Sequence, residues 1–365
     1  MSKIYFLNWH NNHKGNYGPT QIFNNLTKNL EKDKDIEILC PETFNGSFND
    51  LIKEIFFKYL PKKDKSIFVV NGEGLKLPFF MLLFSKIFRK HEYFLMYHGL
   101  REEEDKYSGI SSPKYYYLER KILKNFPNII CVSSFLRNLI ISRCKRSKKT
   151  YVINSGVNYS SIDKKSLEDN HDIKLTKEFK FIISGGIKKV KGIDKAINMI
   201  KAINSSQNEF IAILDIYGGY DDEAYYKDIL NSIDKNSYIN YKGEVPKEII
   251  NSLYKDYDFL VALSNFDSYN MTVLESVSSG TPVIISDNIG ACDVIKDNNL
   301  GCILKSSDIT SENFVDIINL LQEIYRNKDK YSIMINECLK AGKKYDWNIV
   351  KNSYINLFTK VKEGR

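Results

Sequence analysis

The chain has 365 residues, 43% hydrophobic and 27% charged, with 53 Lys and Arg against 45 Asp and Glu and a formal net charge of +8. Such length and apolar content suit two ordinary domains with buried cores and exclude disordered and fibrous classes. No run of about 18 uninterrupted apolar residues supports a membrane span, and the opening MSKIYFLNW lacks the long apolar segment of a secretory signal, so a cytoplasmic protein is expected.

Cys40, Cys131, Cys144, Cys292, Cys302 and Cys338 show no CxxC or metal-like spacing and read as reduced core residues. The basic excess is densest at RKH (89–91) and RCKRSKK (143–149). It suits nucleic acid, anionic lipid or a phosphorylated substrate, and equally a lysine-rich composition with no partner. No zinc-finger spacing or RNP-type aromatic motif accompanies it, so no nucleic-acid partner is expected.

Residues 3–8 read as a first strand and 9–18 as a loop. Pro19 then opens a helix with Ile22, Phe23, Leu26 and Leu30 on one face. Strand, glycine loop and helix start is the layout of an anion or substrate loop, which makes Gly15, Asn16, Tyr17 and Gly18 candidates; a plain strand-to-helix turn is the competing reading. His10 and His13 share this loop without a third ligand to complete a metal set, and no metal is expected. Strands at 36–40, 66–71 and 93–97 alternate with helical stretches near 48–59 and 75–90, the pattern of a parallel sheet covered on both faces, with ligands at the strands' carboxyl ends. His98 stands at such an end, although a lone histidine is more often a packing or capping residue.

The stretch 75–90, LKLPFFMLLFSKIFRK, combines bulky apolar residues with Lys76, Lys86, Arg89 and Lys90. It is too short to span a bilayer and is interrupted by Pro78, which leaves a sheet-covering helix or an interfacial surface that meets anionic lipid. Tyr115, Tyr116 and Tyr117 near Lys114 and Arg120 suit that surface and ordinary helix packing equally well.

Strands follow at 128–133 and 150–154, and the Ser-, Lys- and Asp-rich segment 159–180 reads as a domain boundary. The strand 179–184 ends at Gly185 and Gly186, followed by Lys188, Lys189 and Lys191, then by a helical stripe of Ile193, Ala196, Ile197 and Ile200. Lysines on a glycine turn at a strand end can clamp a diphosphate, because ammonium groups offset charge on a leaving phosphate. Asp221 and Asp222, after the strand 211–217, are more often solvated than metal-binding on such a polar loop. The strand 238–242 leads into Gly243-Glu244-Val245.

The densest chemistry lies in 258–287. An apolar strand (258–263) leads into a polar loop and a helix from Thr272, which Gly280 and Pro282 stop before the strand 281–286. A loop-to-helix junction can aim Asp267 and Glu275, eight positions apart, into one crevice. Between them the amides of Asn270, Met271 and Thr272 should be open, as at any helix start, giving an anion site flanked by carboxylates that hold hydroxyls.

Asp267-x7-Glu275 followed by SVSSGTPVI resembles the E-x7-E signature of family 4 retaining glycosyltransferases. The resemblance implies an α/β GT-B fold: two Rossmann-like, doubly wound parallel-sheet domains facing a central cleft. Its boundaries here would be 1–165 for an acceptor-side domain, 166–345 for a nucleotide-sugar donor domain, and 346–365 for a terminal helix returning to the first domain. It implies that Glu275 binds the nucleotide ribose, that Asp267 and His98 lie by the donor sugar, and that residues 270–272 face its hydroxyls and the diphosphate. Lys191 falls on the lysine of the family's G-R-L-x-x-x-K-G, whose arginine is replaced by Gly186, with Lys188 or Lys189 as compensating cations. Gly185, Gly186 and Lys188 would line the donor, Val245 would read the base, and Gly15 to Gly18 would lie under the acceptor.

The implied activity is transfer of a sugar from a nucleotide diphospho-sugar, a UDP-sugar by expectation, to a hydroxyl of a glycan or lipid-linked acceptor in cell-surface polysaccharide synthesis, without a cofactor. A peripheral place on the inner face of the plasma membrane, through the first domain, goes with it. The competing reading is a catalytically silent nucleotide-sugar-binding partner of another transferase, kept open by Gly186 and Asp267. An epimerase of the same fold is a further rival. A dehydrogenase is disfavoured because no GxGxxG follows the first strand.

Overall fold

Short apolar runs alternate along the chain with longer stretches carrying one apolar stripe, and that alternation builds parallel sheets with crossover helices. The computed structural model describes residues 3–9, 18–30, 34–40, 44, 46–159, 177–206, 209–234, 236–296, 299–307, 309 and 314–364. The chain divides into two compact units, one of Met1–Glu102, Ser111–Gly156 and Trp347–Arg365, the other of Glu103–Ile110 and Val157–Asp346.

The first unit holds β1 (Ile4–Leu7), β2 (Ile36–Leu39), β3 (Ile67–Asn71), β4 (Glu92–Tyr97), β5 (Asn128–Cys131) and β6 (Thr150–Val152), ordered β2-β1-β3-β4-β5-β6. All its pairings are parallel, with Ile4 opposite both Ile36 and Ile67. Every residue of β1 and β3 is buried, as expected of central strands covered on both faces. On one face Tyr5, Phe68 and Tyr93 stack across the strands at 5.0 and 5.5 Å. On the other, Phe358 of the helix Trp347–Lys362 packs edge-on against Phe6 and Phe94 at 6.1 and 5.4 Å.

The helix Gly18–Leu30 buries Ile22, Phe23, Leu26 and Leu30. It takes in Gly18, which the sequence placed in the loop: Pro19 presets a helical φ one position inside the start. The stretch 75–90 forms a helix only over Lys76–Ile87, because Phe88 leaves helical geometry at φ −101°, ψ 64°.

The second unit holds β7 (Glu178–Ser184), β8 (Ile211–Tyr217), β9 (Ile239–Gly243), β10 (Phe259–Ala262), β11 (Val283–Ser286) and β12 (Gly301–Leu304), ordered β12-β11-β10-β7-β8-β9 and again all parallel. The helix Ile193–Ser205 lays Ile193, Ala196, Ile197 and Ile200 on this sheet's core. The helix Met271–Ser278 is buried along most of its length; a Cβ on Gly342 would come within 2.5 Å of Ser278 Cα, so the helix Lys328–Lys344 packs on it at backbone distance. In both sheets the winding reverses direction once, between β1 and β3 and between β7 and β10. At such a reversal the flanking loops diverge to opposite faces and leave a crevice over the carboxyl ends of the strands.

Candidate functional site

The reversal in the second sheet is where the predicted residues gather. Leaving β7, the chain turns through Gly185 (φ +117°) and Gly186 (φ +93°). A Cβ on Gly186 would lie 2.8 Å from the Gly219 carbonyl, and one on Gly218 would lie 2.3 Å from Gly186 N, so the turns after β7 and β8 rest backbone on backbone. Ile187 N donates to Gly219 O at 2.8 Å across that contact. The lysines follow in one 3-10 turn, Lys189–Lys191, which Gly192 closes at φ +62°.

This turn is fastened to the loop after β10. Asn265 N donates to Val190 O and Asn265 Nδ2 to Lys189 O, both at 2.8 Å. The fastening sets Lys191 Nζ 2.6 Å from Asp267 Oδ2. Asp267 is held further by Tyr269 N, which donates to Oδ1 at 3.1 Å, and by backbone bonds to Asn288 and Gly290.

Asn270, at φ +70°, swings the chain into the helix, whose first residue is Met271, one earlier than the sequence suggested. Asparagine tolerates this left-handed conformation better than most residues. Thr272 Oγ1 donates to Asn270 Oδ1 at 2.7 Å, while the amides of Asn270, Met271 and Thr272 find no acceptor among the described residues. Glu275 lies in the second helical turn, buried, with Oε1 2.7 Å from Lys247 Nζ. The fully buried Tyr254 hydroxyl lies 2.8 Å from Ser184 Oγ at the end of β7 and feels the Glu275 charge. Burial first, then the Glu275 charge, pushes its phenol well above the ordinary range, so it stays protonated as a donor.

The structure thus brings Gly185, Gly186, Lys191, Asp267, Asn270, Met271, Thr272 and Glu275 to one crevice edge. Lys188 and Lys189, expected as compensating cations, pair instead with Asp221 at 2.7 Å and Asp222 at 3.2 Å. Asp222 also caps the helix Glu223–Ile233 by accepting from Tyr225 N at 3.0 Å. Half-buried Val245 follows β9 and Gly243 (φ +79°). Among the described residues no group of His, Cys, Asp and Glu is assembled to hold a metal.

Lys247, Tyr254 and Ser184 were not found from sequence. Each is an ordinary residue of its element, and only the long-range contact with Glu275 or its partner gives it a role.

In the first unit, His98 follows β4 and is buried. Its Nε2 lies 2.7 Å from Asn71 Oδ1 at the end of β3. Asn71 Nδ2 donates to Asn8 Oδ1 and Glu73 Oε2 at 3.3 and 3.5 Å, and Thr20 Oγ1 reaches both Glu73 oxygens at 2.9 and 2.8 Å. With the Asn71 amide nitrogen spent as donor, its oxygen accepts from His98, so Nε2 carries the proton and Nδ1 the lone pair. Burial lowers the His98 pKa to about 4, and the imidazole is neutral at neutral pH. Asn8, Asn71, Glu73 and Thr20 carried no sequence signal. Gly15, Asn16, Tyr17, His10 and His13 lie outside the described residues.

Residues 165–337 match the family model of glycosyl transferases group 1. An uncharacterized 41.2 kDa protein in the cps region of Klebsiella pneumoniae is 23% identical over 363 residues, 90% of this chain and 97% of that protein. Sucrose-phosphate synthase from Thermosynechococcus elongatus superposes with a TM-score of 0.72 at 14% identity, covering 100% of both chains. Anabaena HepE, solved in complex with UDP-glucose, superposes with a TM-score of 0.69 at 14% identity, covering 98% of this chain and 100% of that one. These likenesses show the GT-B architecture of two doubly wound α/β units. Lys191, Lys247, Asp267 and Glu275 all fall within the matched segment, the segment that marks the chain as a glycosyltransferase enzyme.

Proposed function

We propose that the chain is a retaining transferase that moves a sugar from a UDP-sugar to a hydroxyl of a glycan or lipid-linked acceptor. The observation that carries this reading is the pair of carboxylates, Asp267 and Glu275, each held by one lysine, at 2.6 and 2.7 Å, on either side of three open amides. A ribose diol donates to Glu275 in place of the Lys247 ammonium. The diphosphate takes the amides of residues 270–272, where the helix dipole favours an anion, together with Lys191. Asp267 accepts from sugar hydroxyls, and the turn at Val245 meets the base.

Asp267 is engaged by Lys191 and Tyr269 and is assigned no covalent role. The acceptor oxygen bonds the anomeric carbon on the face from which the phosphate departs. The bond from that carbon to the phosphate oxygen breaks, and a donor phosphate oxygen takes the acceptor proton. The name of the Klebsiella relative, from a cps region, supports polysaccharide synthesis, and the UDP-glucose complex of HepE supports the donor class. A cytoplasmic place of action belongs to the same proposal.

The test is a nucleotide-release screen of the purified chain against UDP-, GDP-, ADP- and dTDP-sugars, with Glu275→Ala and Lys191→Ala alongside. Release from one donor that both substitutions abolish is the expected result. No release from any donor, with glycolipid acceptors present and binding confirmed by calorimetry, would replace transfer by nucleotide-sugar binding alone.

A further inference from the structure

Strands of a doubly wound sheet are usually apolar on both faces, and β8 departs from this. Ala212, Leu214 and Ile216 enter the core of the second unit, whereas Ile213, Asp215 and Tyr217, on the other face, are half-buried. Asp215 stands opposite Asn240 of β9, and Ile213 opposite Lys180 of β7. The register then slips: Ile216 pairs with Tyr241 and Tyr217 with Gly243, which leaves Lys242 as an extra residue. Such a bulge re-aims a side chain, and the Lys242 ammonium lies 3.6 Å from Asp215 Oδ1.

Between these strands and the turn that follows the helix Lys247–Leu253 lies an open recess of about 290 Å³. Its inner wall is a fixed polar network. Asn240 Nδ2 donates to Asp215 Oδ1 at 2.8 Å and the Tyr257 hydroxyl donates to Oδ2 at 2.7 Å. The Tyr217 hydroxyl, 3.0 Å from that of Tyr257, then donates to it in turn. A carboxylate accepts about four hydrogen bonds, so Asp215, its side chain 15% exposed, keeps room for a donor from the recess. At the rim Lys180 and Asp256 are exposed, and neither side chain forms an ion pair among the described residues. Ile213 and Leu253 supply the apolar part of the wall.

Two ammonium groups and two carboxylates balance, so a phosphate or a cation would meet as much repulsion as attraction here. A hydroxyl donates and accepts at once and is suited to both signs. Donors and acceptors beside an apolar patch match a sugar ring, which carries hydroxyls at its edge and C–H groups on its face. We propose that this recess binds one neutral sugar residue of a glycan chain, at a site separate from the donor crevice. None of its lining residues belongs to that crevice: Lys180 and Ile213 each stand four residues, about 13 Å, before the carboxyl ends of β7 and β8 where the donor loops begin. A glycan held here has a raised effective concentration at the enzyme. That benefit rests on the glycan-acceptor reading above; the binding itself does not.

The test is saturation-transfer NMR of the full chain with the methyl glycosides of glucose, galactose, mannose and N-acetylglucosamine, and with methyl glucuronide, each with and without excess UDP. The expected result is transfer to at least one neutral glycoside, with a Kd of about 1–10 mM, unchanged by UDP and unchanged in Glu275→Ala. Lys180→Met and Asp256→Asn at the rim should each weaken binding at least threefold, and Asp215→Asn more than tenfold. If Asp215→Asn lowers the melting temperature, the two rim variants, whose side chains hold no other group in place, decide the matter. Four outcomes would overturn the proposal: no transfer to any neutral glycoside, transfer abolished by UDP or by Glu275→Ala, transfer unchanged in both rim variants, or tighter binding of the glucuronide than of every neutral glycoside. None of these readouts requires turnover, so they stand apart from the nucleotide-release screen.

Discussion

The pairing of Glu275 with Lys247 makes opposite predictions for its two members. If the ribose diol takes over the Glu275 carboxylate, the ligand must displace the ammonium that lies 2.7 Å from Oε1. Glu275→Gln keeps the shape and one acceptor oxygen but loses the charge and the second acceptor, costing one charge-assisted hydrogen bond of about 1.5–3 kcal/mol, or roughly 10- to 150-fold in nucleotide affinity. Lys247→Met removes the competitor. The Lys247 side chain is 33% exposed, so solvent screening holds the pair to at most about 1 kcal/mol, and the variant should bind UDP up to about fivefold more tightly. Calorimetric titration with UDP measures both. Unchanged affinity in Glu275→Gln would remove Glu275 from the ribose. Weakening of several-fold in Lys247→Met would mean that the lysine touches the nucleotide and does not compete with it.

Two further perturbations test the framework around these residues. His98 has a pKa of about 4 in the folded chain against 6.5 unfolded, so between these values the unfolded chain binds a proton that the native state refuses. Stability is therefore fully present above pH 6.5 and falls by up to about 3 kcal/mol as pH drops through 4; urea melts at several pH values should show this slope, and His98→Gln should flatten it. Gly192→Ala places a Cβ 2.3 Å from the Leu263 carbonyl at φ +62° and should cost about 2–4 kcal/mol in denaturant melts, whereas Gly185→Ala, whose nearest contact is Thr272 Cγ2 at 3.8 Å, should cost less. Equal losses at the two glycines would mean that left-handed strain, and not the carbonyl contact, governs this loop.

Much of the architecture was legible because parallel strands buried on both faces are written as continuous apolar runs. IYFL, IFVVN and FLVA need no partner to be recognised. The stretch around Asp267 and Glu275 was legible for a different reason: strand, loop, helix and stop signals follow one another within thirty residues. What sequence could not show were contacts between distant elements. Thr20 reaches Glu73, Lys247 reaches Glu275, and Tyr254 reaches Ser184, with no periodicity to announce any of them. Charge was also misleading in bulk. Arg146, at the centre of RCKRSKK, is buried and spends its guanidinium on the carbonyls of Leu123, Phe126, Pro127 and Lys149, while Lys148 nearby stays on the surface.

Gly186 bears most directly on how this chain handles a charged donor. The position resembles one where a family arginine would stand, yet at φ +93° a Cβ here would press to 2.8 Å from the Gly219 carbonyl. An arginine could not be restored without separating the turns after β7 and β8, so the glycine belongs to the backbone path and is more than a missing side chain. Cation supply must come from elsewhere, and four lysines of the second unit are already matched with acids: Lys188 with Asp221, Lys189 with Asp222, Lys191 with Asp267 and Lys247 with Glu275. The outer two pairs are exposed on both sides and contribute little to stability. The inner two involve carboxylates only 14% and 8% exposed, where a lone charge would be costly. On the proposed reading, a diphosphate entering this site meets Lys191 and Lys247 already neutralised by Asp267 and Glu275, and its hydroxyl-bearing ends engage the released carboxylates in the same step. That exchange favours ligands that carry phosphate and diol together over inorganic phosphate alone, which can take the lysine but cannot satisfy the acid it leaves behind.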